Sequence, residues 1–248
     1  MKKNTQINLI EGPIAKNIVR FAVPMFLGNL FQQLYNMADS LVVGNFLGSS
    51  SLAAVTSTGS LIFLLVGFFS GTAMGAGVVI SRFFGAKDYN NIKKAVHTDI
   101  AFGILCGILM TVVGVIFAPQ ILSLMGTPDD VFVESVRYIR IYFLGSLAVI
   151  MYNVCMGILQ AVGDSRHPLY YLIISSVVNI ILDLLFIGIF RFGVGSAALA
   201  TIISQFLSVV LCMRRLIKTD DVYRVCIKDI AFDKGILVQI LNIGLPSG

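Results

Sequence analysis

Six apolar segments make up most of this chain, and each is long enough to cross a lipid bilayer as a helix. A bilayer core requires roughly 20 helical residues, and a backbone in lipid must satisfy its own hydrogen bonds. The composition agrees, because 57% of the residues are hydrophobic and only 12% are charged. The sequence therefore predicts an all-α integral membrane protein with spans at 15–46, 52–82, 92–122, 136–161, 168–190 and 195–216.

The basic residues predict which ends of these segments share a side of the membrane. The sequence has 18 Lys and Arg residues, and all except Arg137, Arg140 and Arg191 fall on the side that carries the N-terminus. Short cytoplasmic loops carry an excess of Lys and Arg. We therefore expect a multi-pass protein of the plasma membrane whose N-terminus is cytoplasmic.

Two carboxylates lie inside the apolar segments, Asp39 in the first and Asp183 in the fifth. An ionisable side chain in lipid costs a few kcal/mol or more, so it usually faces a bundle interior where it handles ions, protons or polar substrates. At about 1.5 Å per helical residue, Asp39 lies ~28 Å from Arg20, and Asp183 lies ~25 Å from Arg166. The two acids are expected at a similar depth, and a transporter is the first hypothesis.

Asp183 also ends a row of polar residues. Ser175, Asn179 and Asp183 recur every four residues, a spacing that places them on one helix face. Oxygen ligands suit a hard cation such as Na⁺, whereas two desolvated carboxylates would hold a proton. The alternative is that these groups only join helices through interhelical hydrogen bonds. The residues predicted to couple cation binding to transport are Asp39, Asn179, Asp183 and Thr201.

A second polar row lies on the first segment and ends at Asp39. Its members recur at the spacing of one helix face, and the alternative to a cavity lining is a buried network that fixes helix packing. Pro24 removes a backbone donor in the same segment and predicts a kink or hinge. The candidate cavity-lining residues are Gln32, Tyr35, Asn36, Ser175 and Gln205.

Other motifs favour structural roles. Glycines four residues apart permit close approach of helices, and they occur at Gly67, Gly71 and Gly75 and again at Gly103 and Gly107. His97 and Asp99 follow Lys93 and Lys94, and we interpret them as a solvated turn at the membrane surface.

The sequence does not favour an enzyme. It has no paired nucleophile and base, no spacing of Cys and His typical of metal ligands, and no cofactor motif. The basic residues are not clustered on one element, so no nucleic-acid partner is expected. We expect no cofactor, and no metal beyond a possible Na⁺ ion.

The C-terminal residues predict a duplicated architecture. A polar stretch at 218–234 precedes a seventh apolar segment, and ILNIGLPSG resembles IVRFAVPMFLG of the first segment, with Pro246 in the place of Pro24. Transporters are often built from repeated halves. We expect a six-helix lobe at 1–217, a cytoplasmic linker at 218–234, and at 235–248 the start of a seventh helix that leads into a second lobe.

The motifs together resemble one known family. PMFLGNLFQQLYNMADSLVVGNFLG, LAAVTSTGSLIFLLVGFFSGTAMGAGVVISRFFGAKD, ILQAVGDSRHPLYYLIISSVVNIILDLLFI and GSAALATIISQ occur in order along the chain. This pattern is similar to the bacterial branch of the multidrug and toxic compound extrusion (MATE) family.

The resemblance implies a fold and a function. Family members have twelve helices in two lobes, so this chain would be the six-helix N-lobe with the start of helix seven. They exchange Na⁺ or H⁺ for cationic, amphipathic drugs and metabolites. Asp39 matches the acid of the family's first helix, and Asn179, Asp183 and Thr201 match its N-lobe cation site.

Two other functions remain open from the sequence. A lipid-linked oligosaccharide flippase of the same superfamily would line its cavity with basic residues, and none lies at the depth of Asp39 and Asp183 here. A non-transporting membrane scaffold subunit would bind no ligand and would not depend on the two acids.

Overall fold

The computed structural model describes residues 13–247, and these residues form a bundle of eight α-helices without a β-strand. Residues 1–12 of the expected lobe and Gly248 lie outside the described part of the chain. The helices are α1 (Ile14–Leu47), α2 (Ser49–Gly85), α3 (Tyr89–Leu124), α4 (Asp129–Leu144), α5 (Ser146–Ala161), α6 (Arg166–Asp183), α7 (Gly195–Lys218) and α8 (Lys234–Gly244).

Local sequence chemistry sets several helix boundaries. Gly48 separates α1 from α2 with a φ of 87°, a conformation that glycine adopts without a steric penalty. The Asp88 side chain accepts a hydrogen bond from the Asn91 backbone N–H at 3.2 Å, and Asp233 does the same for Ile236 at 3.1 Å. These are N-terminal caps of α3 and α8, which satisfy backbone donors that a helix start leaves free.

The predicted spans correspond to these helices, but the first of them, α1, is less continuously apolar than the other spans. Four described helices are long and apolar enough to cross a membrane, namely α2, α3, α7 and α6 with its extension to Ile189; the pair α4–α5 adds a fifth if it forms one span. Helix α1 is 34 residues long but does not meet the same test of length and composition, because Asn, Gln and Asp residues interrupt its apolar sequence. The sixth predicted span thus stays a prediction.

The fourth predicted segment, 136–161, is not a single straight helix. It begins earlier, at Asp129, and bends by 48° at Gly145, where α4 ends and α5 begins. A Cβ atom at Gly145 would lie 2.2 Å from Ile202 Cγ1 of α7. Gly145 therefore allows α7 to approach the bend more closely than any other residue would.

Most of the predicted glycine contacts between helices are present. A Cβ at Gly103 would lie 2.8 Å from Val154 of α5, and one at Gly107 would lie 2.5 Å from Leu147. A Cβ at Gly75 would meet the backbone of Gly244 of α8 at 2.5 Å, whereas one at Gly67 would meet nothing within 4 Å. Small residues thus bring α3 against α5 and α2 against α8.

One end of the bundle carries much of the positive charge, and we call it the basic end. Helices α1, α3 and α6 begin there, α2, α5 and α7 end there, and its basic residues include Lys16, Arg20, Arg82, Lys87, Arg166 and Arg215. The largest apolar core, formed by α2, α3, α5, α7, α8 and the segment between the last two, lies towards this end.

The segment 219–233 is attached to the basic end rather than extended. Its Tyr223 and Val225 side chains are buried in the core, and the Cys226 N–H donates to His97 Nε2 at 3.0 Å. Ion pairs join Lys93 to Asp229 at 2.6 Å and Lys94 to Asp233 at 3.4 Å.

The interpretation of His97 and Asp99 as a solvated turn is therefore wrong. Their exposed fractions are 2% and 1%, because 219–233 and α5 cover this part of α3. The turn of helix that the sequence places at a membrane surface is the attachment point of the segment 219–233.

Candidate functional site

The two predicted acids meet inside the bundle. Asp39 of α1 and Asp183, the last residue of α6, are 8% and 0% exposed, and their carboxyl groups lie within hydrogen-bonding range of each other. One oxygen of each carboxyl, Oδ1, is buried without a hydrogen-bond partner among the described residues. The site therefore presents two unused acceptors in a region closed to solvent.

Asn179 and Thr201 hold Asp183 in place from two helices. With the Asn179 amide oriented by its hydrogen bonds, its Nδ2 donates to Asp183 Oδ2 at 3.0 Å and its oxygen accepts from the Thr201 backbone N–H at 3.2 Å. The Tyr35 hydroxyl of α1 donates to Thr201 Oγ1 at 3.3 Å. These bonds connect α1, α6 and α7, so the relative position of the three helices fixes the spacing of the two acids.

No cation balances this pair within residues 13–247. The ion pairs of the described residues involve Asp164, Asp229 and Asp233, and none involves Asp39 or Asp183. No group of three or more His, Cys, Asp or Glu side chains in this part of the chain is placed to hold a metal ion. Two carboxylates in contact in a desolvated site cannot both carry a charge without a counterion, so the pair must share a proton or bind a cation.

The backbone changes directly after Asp183. Residues Leu184–Ile189 continue α6 as a π-helix, and the Phe190 N–H reaches back to the Leu185 carbonyl at 2.9 Å. Single turns of π-helix are rare and often occur at functional sites. Here the wider turn begins at the residue that carries the second acid.

The remaining predicted residues are not all at this cluster. The Ser175 side chain is buried and donates to the Leu172 carbonyl of its own helix at 3.0 Å. Gln205 is half-buried, with its Oε1 atom lacking a partner among the described residues. Gln32 is half-buried, Asn36 is exposed, and Pro24 is half-buried within α1.

Two site residues were missed at the sequence level. Tyr138 and Tyr142 of α4 are close enough to interact electrostatically with Tyr35, and Tyr138 also interacts with Asp39 and Asp183. Their spacing of four residues places them on one face of α4, and this was the available signal. The segment also contains Phe132 and Phe143, so the two tyrosines did not stand out as polar residues.

The fold and the buried polar site define a class, which is an all-helical integral membrane protein with a lobe of transporter type. The MatE family model matches residues 24–185, so the chain belongs to the MATE family. The resemblance inferred from the motifs and the expected N-lobe fold are both confirmed.

Known proteins resemble the chain along nearly its whole length. The probable multidrug resistance protein YoeA of Bacillus subtilis (strain 168) is 36% identical over 237 residues, covering 92% of this chain and 50% of YoeA. The multidrug export protein MepA of Staphylococcus aureus (strain MRSA252) is 29% identical over 246 residues, covering 99% of this chain and 54% of MepA.

The solved structures lead to the same family. A crystal structure of a MATE in the bent conformation superposes with a TM-score of 0.90 at 29% identity, covering 100% of this chain and 55% of that protein. The chain thus spans about half the length of the relatives that it matches.

Proposed function

We propose that this chain is the N-terminal lobe of a MATE antiporter that exports organic, often cationic, drugs or metabolites in exchange for Na⁺ or H⁺. Its relatives YoeA and MepA are described as a probable multidrug resistance protein and a multidrug export protein. Coverage of about half of each relative supports a second lobe in the working transporter. In the plasma membrane, the positive charge at the basic end supports an orientation with this end, and therefore the N-terminus, in the cytoplasm.

The observation that carries the coupling role is the contact between Asp39 and Asp183. A buried ionisable group in a membrane bundle is expensive and typically belongs to an ion or proton pathway. Here two such groups face each other without a basic partner in the described chain. A purely structural network would leave no reason to keep two acids where one amide would bond as well.

The contact also provides a mechanism for coupling. A proton or Na⁺ ion between Asp39 and Asp183 holds α1 against α6. When the ion leaves, the two carboxylates repel each other in a medium of low dielectric constant, and α1 is displaced from α6. Pro24 lies 15 residues before Asp39 in α1 and lacks the backbone N–H of a regular helix, so we assign the bending of α1 to this residue.

The cation-bound and cation-free lobes would thus differ in the course of α1. MATE structures have been described in bent and in straight conformations. Of the other candidate residues, Gln32 and Asn36 lie on parts of α1 that are accessible in the isolated lobe. We assign to Gln32, Asn36, Ser175 and Gln205 a role in lining the passage that the two lobes form together.

Exchange of the first acid tests the proposal. Asp39→Asn keeps the shape of the side chain but removes its ionisable proton, so we expect efflux by the natural full-length protein to fall to the level of an empty vector. Efflux of a cationic dye from energised vesicles, recorded with imposed Na⁺ and pH gradients, measures this and separates the two coupling ions. Asp183→Asn should weaken efflux to a similar or smaller extent, because Asp39 can still hold a proton.

Asp129→Asn provides the matched control. Asp129 is an exposed acid at the end of the bundle opposite the basic end. It should export the dye at the wild-type rate. Wild-type efflux by Asp39→Asn at every pH and Na⁺ concentration would exclude the coupling role and leave helix packing as the function of the network.

A further inference from the structure

A groove opens at the basic end between α1 and the start of α6. It has a volume of about 660 Å³, and its lining combines cationic and apolar side chains. The cationic residues are Lys16, Arg20 and Arg166, and the apolar residues are Ala15 at the helix start and Val19, Val23 and Pro24 further along α1. The groove lies apart from the acid pair, since Asp39 is 19 residues beyond Arg20 on the same helix.

The lining residues are ordered along the membrane normal. On α1 they recur at i, i+3, i+4, i+7 and i+8 from Lys16, so they form one face of the helix. Lys16 and Arg20 lie nearer the helix start, whereas Val23 and Pro24 lie deeper. Arg166 faces them from the first residue of α6, which places three positive charges around the mouth of the groove.

Apolar surface is left uncovered below these charges. Val19 and Val23 are 60% and 49% exposed. Further along, α1 and α6 approach each other: a Cβ atom at Gly28 of α1 would lie 3.9 Å from Leu172 of α6. The groove is therefore charged at its mouth and apolar along its wall.

The charges at the mouth are not neutralised by the described residues. No acidic side chain between residues 13 and 247 forms an ion pair with Lys16, Arg20 or Arg166. Lys93 and Lys94, at the same end of the bundle, are paired with Asp229 and Asp233. Among the described residues, the groove thus carries three positive charges without an acidic partner, beside a surface that favours hydrocarbon.

We propose that this groove binds one anionic phospholipid from the leaflet at the basic end. The lipid phosphate lies among Lys16, Arg20 and Arg166, and an acyl chain runs along Val19, Val23 and Pro24. Basic pockets between transmembrane helices recognise anionic head groups, and Arg binds phosphate through two parallel hydrogen bonds. The order of charged and apolar residues along α1 matches the order of head group and acyl chain in a phospholipid.

Lipid retention by the purified protein tests the proposal. The natural full-length protein is reconstituted in nanodiscs that contain equal amounts of phosphatidylglycerol and phosphatidylcholine, and then released for native mass spectrometry. We expect one phosphatidylglycerol to remain bound to the wild type. Each basic residue near an anionic lipid changes affinity by about fivefold, so Lys16→Gln, Arg20→Gln and Arg166→Gln together should lower retention on the order of 100-fold.

Two control proteins make the result specific. Arg82→Gln, Arg214→Gln and Lys218→Gln together remove three exposed charges outside the groove at the same end and should retain the lipid as the wild type does. Arg20→Lys with Arg166→Lys keeps every charge and should retain it nearly as well. If the triple Gln variant fails to fold, Lys16→Gln alone should still lower retention about fivefold.

Three patterns of lipid retention would overturn the proposal. They are equal retention by the triple Gln variant and the wild type, equal retention of phosphatidylcholine and phosphatidylglycerol, and loss of the bound lipid on addition of inorganic phosphate, which would identify a soluble anion site. Absence of any bound lipid from the wild type would also reject it.

Discussion

The acids of this lobe are used in two different ways at its two levels. At the basic end, Asp164 contacts His167 and Arg215, Asp229 contacts Lys93, and Asp233 contacts Lys94. Deeper in the bundle, Asp39 and Asp183 contact each other and no basic side chain of the described chain.

The difference lies in the partner, because the three aspartates at the basic end each lie beside a cationic side chain and the deeper pair has none among the described residues. A carboxylate with a built-in cation has its charge balanced and holds a turn or a segment in place. A pair of carboxylates without a cation needs a shared proton or a bound cation to balance its charge. Sequence position alone did not give this distinction, because all five residues are aspartates near or within apolar segments.

The distinction between the two kinds of acid would fail if neutralising either kind changed the stability of the protein by the same amount. Asp164 is 0% exposed, lies 2.6 Å from His167 Nδ1 and is 3.7 Å from Arg215. Asp164→Asn leaves Arg215 without its partner, and we expect the protein to lose about 2 to 3 kcal/mol of stability. Asp39→Asn removes a buried charge that has no fixed partner, so its stability should change by less than about 1 kcal/mol or increase.

Thermal unfolding of the two purified variants in one detergent measures this difference. Asp130→Asn, an exchange at an exposed acid, serves as the reference for a neutral substitution. A loss of stability in Asp39→Asn as large as that in Asp164→Asn would show that the acid pair is structural.

The bend at Gly145 lies close to the site of the acid pair, because it contacts α7 next to Thr201. A substitution there should therefore affect both the stability of the protein and the geometry of the site. The methyl group of Gly145→Ala would lie 2.2 Å from Ile202, the residue that follows Thr201. Overpacking of this kind costs about 1 to 3 kcal/mol, and we expect the displacement of α7 to lower efflux as well. Thermal unfolding and the dye-efflux assay measure the two effects.

Gly59→Ala is the matched control, because a Cβ at this helical glycine would meet nothing within 4 Å. It should stabilise α2 by about 0.5 to 1 kcal/mol. If both alanine variants are more stable than the wild type, α7 does not approach Gly145 as closely as in this structure.

A smaller effect is expected where His97 holds the segment 219–233. His97 Nε2 accepts from the Cys226 N–H at 3.0 Å, and its other ring nitrogen, Nδ1, donates to the Lys93 carbonyl at 2.7 Å. Loss of one such hydrogen bond in His97→Ala should raise the rate of maleimide labelling at Cys226 about fivefold. Labelling in a Cys106→Ser background reports mainly on Cys226, because Cys155 and Cys212 are buried.

His167→Ala removes the other histidine, which contacts Asp164 instead of this segment. It should leave the labelling rate of Cys226 unchanged. Equal acceleration in both variants would assign the effect to a general loosening of the bundle.

The smallest effect concerns the two ion pairs of the same segment. The hydrogen bond from Lys93 lowers the pKa of Asp229, and the backbone N–H of Ile236 lowers that of Asp233. A lowered pKa contributes stability above the usual carboxyl pKa of about 4, and this contribution disappears as the pH falls through the lower folded-state value. The Asp229 carboxyl is exposed and that of Asp233 is partly exposed, so the effect is small and decreases with salt.

A spin label on Cys226 should therefore remain immobile from pH 7 to about 5 and gain mobility below about pH 4. The variant with Asp229→Asn and Asp233→Asn should lack this acid step. An acid step of equal size in that variant would exclude the two carboxyls as its cause.

The sequence predicted the helices and the meeting of the acids because both depend on strong local signals. Long apolar segments determine where helices form, and equal distance from the basic residues determines depth. The helical face was less certain, since adjacent residues point about 100° apart on a helix. In the polar row of the first segment, Tyr35 and Asp39 are buried, but Asn36 is exposed.

The features that the sequence did not predict arise from contacts between distant segments. The bend at Gly145 depends on Ile202 of α7, and the burial of His97 depends on Cys226. Tyr138 approaches the acids because α4 packs beside α2 and α7. The local sequence of one segment does not specify its partner in such contacts, so they appear only when the helices are placed together.

The crossing of α2 and α8 has a mechanical consequence. Gly75 and Gly244 lie so close that a Cβ atom on the first would be 2.5 Å from the Cα of the second, and one on Gly244 would be 2.8 Å from Thr72 Cα. Backbone against backbone leaves no flexible side chain to absorb sliding. Within the described chain, α8 is therefore fixed to α2 as one rigid unit, and the segment 219–233 that joins α7 to α8 does not act as a hinge between them.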